Sequence, residues 1–162
     1  MAFSFKVSGL EELSNALGKI GEEAPHVAAR GLYDGAAVVA DKVSQAVHGI
    51  ATKRFKYPAP PGKRRMPSPE EKAIVAGAKH GVAKFRNTGV EIQTSVGYQN
   101  AGYASLNGKT KPIPQIANAI NSGTSFMAKQ PFMRKAFSQS KQAATAAIER
   151  TILEELEKLK ID

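Results

Sequence analysis

Apolar and polar residues alternate at the start of the chain, where Phe3, Phe5 and Val7 are separated by Ser4, Lys6 and Ser8. A period of two predicts a half-buried strand, here closed by Gly9. Leu10, Leu13 and Leu17 then recur at three and four and predict a short helix ending in the Gly18 to Gly21 region. Leu32, Ala36, Val39, Val43, Val47 and Ile50 step by 4, 3, 4, 4 and 3, which puts all six on one stripe of a helix over about 24–48. Pro25 suits the first turn of that helix because its missing N–H would have no partner there. Glu22 and Glu23 complement the positive end of the dipole.

Further on, Ser68-Pro69-Glu70-Glu71 has the form of a capping box with proline at the first helical position and predicts a short helix running toward Lys79. Val90, Ile92, Thr94 and Val96 alternate with Glu91, Gln93 and Ser95, a second strand with one buried face. Residues 98–114 are rich in Gly, Asn and Pro and read as loop, with a short strand at Tyr103 to Leu106. Ile113, Ile116 and Ile120 predict a short helix ended near Gly123. Pro131 opens a last helix over about 131–159, whose stripe is Met133, Phe137, Ala144, Ile148, Ile152, Leu156 and Leu159. No internal repeat is present. The expected fold is α+β: a small antiparallel sheet packed with two long helices, all in one domain over 1–162.

Composition sharpens this picture. The 162 residues are 42% hydrophobic but only 7% aromatic, with no Trp, so the core must be built mostly from Ala, Val, Ile and Leu, which favours helices with small contact faces. The last helix is expected to dock Phe137, Ile148 and Ile152 on Leu32, Val39 and Val43. Zero Cys excludes disulfides, thiol catalysis and Cys-based metal sites. Glu11 and Glu12 stand where a signal peptide needs an apolar run, and the longest such run, Ala36 to Ala40, is far too short to span a membrane. The expectation is a soluble chain made in the cytoplasm, without membrane contact.

The charge is unevenly distributed. There are 23 Lys and Arg against 14 Asp and Glu, a net of +9. Residues 53–86 carry a net +8 and 87–135 a net +4, whereas 1–52 carry −2 and 136–162 carry −1. Within the basic middle, residues 51–67 hold Pro58, Pro60, Pro61 and Pro67, which remove backbone donors and keep their neighbours extended. This segment reads as an arm that cannot pack a core. Fully extended, its seventeen residues would reach roughly 56 to 61 Å. Its cations Lys53, Arg54, Lys56, Lys63, Arg64 and Arg65 are interleaved with Phe55 and Tyr57, a composition suited to phosphate contact and stacking, or to an acidic protein surface. A solvated basic loop is the plainer alternative.

Catalytic groupings are not found. His26, His48 and His80 are each isolated, with no His or carboxylate three or four residues further along the chain. Gly102 to Thr110 (GYASLNGKT) superficially resembles a phosphate-binding loop. It has five residues between its glycines where four are needed, and Lys111-Pro112-Ile113-Pro114 follows where a helix should start. No G-x-S-x-G elbow is present. The expectation is a non-enzyme with no catalytic, metal or cofactor residues and no cofactor.

The opening FKVSGLEELSNAL, the long Ala-rich helix and above all Ile120 to Phe137 (INSGTSFMAKQPFMRKAF) resemble the tail-completion family of long-tailed bacteriophages, the neck or head–tail joining proteins. In that family a glycine–threonine pair, a spacer and a proline–phenylalanine pair lead into the last helix; here they are Gly123, Thr124, Pro131 and Phe132, followed by Met133. Asn121 stands where an acidic residue is common, and residues 51–67 replace a shorter turn. The resemblance implies a structural virion protein forming a ring, expected as a hexamer. It would sit at the head–tail interface against head-closure and tail-terminator or tail-tube proteins, with tape-measure protein or genomic DNA in its channel. It also makes Gly123, Thr124, Pro131, Phe132 and Met133 candidates for a subunit interface, the alternative being that they anchor the last helix to its own core. A stand-alone nucleic-acid-binding protein is the rival reading of the basic middle.

Overall fold

A computed structural model describes residues 3–5, 23–54, 64–78, 81–82, 86–87, 92–98 and 101–159. The elements are β1 (Phe3–Phe5), α1 (Ala24–His48), α2 (Pro69–Gly77), β2 (Gly81–Val82), β3 (Arg86–Asn87), β4 (Ile92–Gly97), β5 (Tyr103–Leu106), β6 (Lys109–Pro112), α3 (Ile113–Ser122) and α4 (Phe132–Leu159). The fold is α+β, with the two long helices where the stripes put them. The helix expected over Leu10 to Leu17 lies outside the described residues.

Two small antiparallel sheets accompany the helices. In the first, β4 is central: β1 pairs along one edge with Phe3 opposite Val96, and β2 along the other with Val82 opposite Val96. β3 pairs with the first residues of β4. Thr94 and Val96 are buried and Ile92 is half-buried, so the alternation read from the sequence defines the inward face. The second sheet is the β5–β6 hairpin, closed by Asn107 and Gly108 with φ of 51° and 72°. Positive φ at both central residues is the turn that Asn-Gly favours, because its twist matches that of the flanking strands. This corrects the reading of 98–114 as mainly loop. It also explains why GYASLNGKT is no phosphate loop: the segment is a hairpin. A helix does begin directly after it, since Pro112 occupies the N-cap position of α3 and Pro114 falls in its first turn, where no donor is lost.

α1 lies against both β4 and α4, and its contact with α4 is the most extensive in the molecule. The two helices run antiparallel: Gly31 faces Ile152, Gly35 faces Ile148, and Asp34 accepts a hydrogen bond from the Thr151 hydroxyl at 2.6 Å. Val27, Leu32, Ile148 and Ile152 form one apolar cluster at this end. The larger cluster gathers Val39, Val43, Val47 and Ile50 of α1 with Val75, Val96, Tyr98, Leu106, Ile113, Ile116, Ile120, Met127, Phe132 and Met133. Phe137 packs on its margin, so the expected docking partners of α4 are divided between two clusters.

Candidate functional site

The capping box forms as the sequence requires: the Ser68 hydroxyl accepts from the Glu71 N–H at 3.1 Å, and the Glu71 carboxylate accepts from the Ser68 N–H at 2.8 Å. The same carboxylate takes both terminal nitrogens of Arg65, at 2.7 and 2.5 Å. Both side chains are largely shielded, with 13% of Arg65 and 5% of Glu71 exposed. Burial alone would raise the Glu71 pKa, but the hydrogen bonds from Arg65 and Ser68, with the guanidinium charge, bring it below the ordinary carboxylate value. A bidentate, desolvated pair of this kind holds its position firmly.

Arg65 is also fixed through its backbone. Its N–H donates to the Phe126 carbonyl and its carbonyl accepts from the Ala128 N–H, both at 2.8 Å, forming a parallel bridge with the segment around Met127. The Lys53 N–H donates to the Pro67 carbonyl at 3.0 Å, and Pro67 itself is fully buried. The described ends of residues 51–67, at 51–54 and 64–67, are therefore tied to the body of the molecule, while residues 55–63 of the expected arm lie outside the described residues. The expectation that this segment cannot pack fails at its end, where Glu71 balances Arg65 and the backbone donors find carbonyl partners.

The expected contact residues divide accordingly. Lys53, Arg54 and Arg64 are exposed at the described ends of the segment. Arg65 is committed to Glu71 and is not available as an outward contact. Lys56 and Lys63, with Phe55 and Tyr57, lie outside the described residues.

The family-like segment forms the joint between α3 and α4. Gly123 ends α3 with φ 77° and ψ 172°, a conformation open essentially to glycine, and differs from the left-handed one expected at a helix end. Its N–H donates to the Ala119 carbonyl at 2.9 Å. Thr124 follows with its hydroxyl accepting from the Met127 N–H at 3.0 Å. The Gln130 N–H returns to the Ile120 carbonyl at 2.7 Å, and Asn121 Oδ1 accepts from the Met133 N–H at 3.2 Å inside the first turn of α4. Phe132 and Met133 are buried in their own core, Phe132 edge-on to Tyr98 with ring centroids 6.3 Å apart. These two side chains anchor α4 and do not present a surface to a neighbour. Thr124 and Pro131 remain half-exposed beside them.

What the joint does present is Phe126, 57% exposed on the loop between Thr124 and Met127. Phe126, Lys111, Gln115 and Asn118 line one cleft, with Ile116 and Met127 beneath them. A second cleft is lined by Arg54, Ser68, Glu70 and the hairpin tip Asn107. The Arg65–Glu71 pair borders both clefts. Arg54, the hairpin and the α3–α4 joint thus meet around the Arg65–Glu71 pair on one surface, whose outward cations are Arg54, Lys109 and Lys111. Sequence reasoning missed Phe126, Lys109 and Lys111 as part of it; the Asn107-Gly108 turn was the signal that would have placed the two lysines on a hairpin. Among the described residues no group of three or more His, Cys, Asp or Glu is placed to hold a metal ion, and no helix is long and apolar enough to cross a membrane. No family model, curated protein or solved structure matches the chain.

Proposed function

We propose that the chain is a structural protein of the neck of a long-tailed bacteriophage, a ring-forming tail-completion protein that joins the tail to the DNA-filled head. The observation that carries this reading is the Ile120 to Phe137 segment. Its glycine–threonine and proline–phenylalanine pairs resemble those of the family, and each has a defined mechanical task here: Gly123 ends α3, Thr124 closes the turn, and Pro131-Phe132 starts α4 in the core. Asn121 departs from the acid common there, and its side-chain oxygen accepts from the Met133 N–H as an aspartate's could.

In this reading the role is mechanical: α1 and α4 form a stiff body, and the basic surface faces an acidic partner, either a neck protein or DNA in the channel. Electron microscopy of particles from a strain lacking the gene tests it. Separate filled heads and finished tails are expected. Normally joined particles would overturn it, as would averaged necks of the parent phage in which this component shows no rotational symmetry.

A further inference from the structure

The basic surface carries an inference independent of the neck reading and of residues 55–63. We propose that it binds single-stranded nucleic acid, with phosphates on Arg54, Lys109 and Lys111 and one unpaired base stacked on Phe126 in the cleft shared with Gln115 and Asn118.

Three observations carry it. The first is charge. Between Gly49 and Lys135 the described acids are Glu70 and Glu71, and Glu71 is already neutralised by Arg65. Arg54, Lys109 and Lys111 are exposed against the one remaining acid, Glu70 beside Arg54, so the described surface presents cations in excess and favours a polyanion. The second is Phe126, whose exposed aromatic side chain stands in the same cleft as Lys111. Covering it with a base removes apolar area from water while the neighbouring cation meets the backbone, the combination that single-strand binders use. A base inside a duplex has both faces covered and cannot make this contact. The third is the pair of amides at the rim. Asn118 Oδ1 accepts from the Ser122 hydroxyl at 3.2 Å, which orients its NH₂ group as a donor, and exposed Gln115 lies beside it. Nucleobase edges present acceptors and donors that such amides can meet. An acidic peptide would satisfy the cations but would leave the amides without base edges to read. The buried Arg65–Glu71 pair and the Arg65–Met127 bridge hold the start of α2 and the Phe126 loop together, so both halves of the surface are positioned before a ligand arrives.

The test is fluorescence anisotropy of the purified full chain with a labelled mixed-sequence 12-nucleotide single strand and with the corresponding duplex, from 50 to 200 mM salt. The single strand should bind more tightly than the duplex and weaken steeply with salt. Phe126→Ala should weaken single-strand binding about 5- to 100-fold while leaving the salt slope and duplex binding unchanged. Phe126→Leu, which keeps an apolar side chain but no ring, should lose nearly as much and guards against a folding defect. Lys109→Gln with Lys111→Gln should reduce the salt slope by about 1.4. Absence of single-strand binding at 50 mM salt overturns the proposal, as does an unchanged affinity in both Phe126 variants. Displacement of the strand by polyglutamate as efficiently as by unlabelled strand of equal charge also overturns it and assigns the surface to an acidic protein.

Discussion

A methyl group added at Gly35 would lie 2.5 Å from Ile148 Cγ1 and 3.1 Å from the Ala144 carbonyl oxygen, and one at Gly31 would lie 3.2 Å from the Ile148 carbonyl. At Gly77 it would meet nothing within 4 Å. The same substitution therefore has opposite expected effects. Gly77→Ala should raise stability by about 0.4–1 kcal/mol by restricting the unfolded chain. Gly35→Ala should lower it, because overpacking of about 1–3 kcal/mol exceeds or offsets the helix-propensity gain of about 1 kcal/mol. Denaturant midpoints of the two variants check this. Combining Gly35→Ala with Ile148→Ala should cost less than the two singly, since the second change makes room for the first.

At the scale of elements, helix ends are closed from elsewhere in the chain. The Lys72 ammonium of α2 donates to the His48 and Ile50 carbonyls at 2.7 and 3.1 Å, closing the C-terminus of α1 where charge and dipole agree. Asn121 does the corresponding service for α4 across a twelve-residue separation. Asn121→Ala leaves a buried N–H without its acceptor and should cost about 1–2 kcal/mol. Asn121→Asp keeps the acceptor and adds a charge suited to a helix N-terminus, so it should retain most of the stability. Thermal melts distinguish the two. If both variants melt alike, the cap does not hold α4 to α3.

For the molecule as a whole, acid should be destabilising in a defined window. Glu71 is held below the ordinary carboxylate pKa by Arg65 and Ser68 against the opposing effect of burial. Glu155 is lowered by its hydrogen bonds from Lys158 and Arg30. A carboxylate whose folded pKa is depressed contributes stability that is present above its unfolded pKa near 4.3 and is lost as pH falls through the folded value. The melting temperature should be steady from neutral pH to about 5 and then fall as acid is added. Glu71→Gln should lower stability at neutral pH by about 3–5 kcal/mol, because it leaves the Arg65 charge buried without its counterion, and should flatten the acid limb. A Glu71→Gln protein with the parent's pH profile would show that the pair does not couple folding to pH.

What the sequence by itself determined is what local periodicity and end chemistry control. The stripes from Leu32 to Ile50 and from Met133 to Leu156 define α1 and α4 because a helix buries what recurs at three and four. Ser68 and Glu71 fix the start of α2, and Thr94 with Val96 the inward face of β4. The Asn107-Gly108 turn was a local hairpin signal that the reading of 98–114 as mainly loop passed over. Tertiary structure alone decided which cations face outward. Arg64 and Arg65 are adjacent and chemically alike, yet one is exposed and the other is held by Glu71, six residues along the chain. It alone decided that Phe132 goes into the core while Phe126 stands in water, and that Gly31 and Gly35 set the approach of two helices more than a hundred residues apart in sequence. The physical reason is the same in each case: ion pairing, burial and close packing depend on partners brought together by the folded chain, and no local pattern names a distant partner.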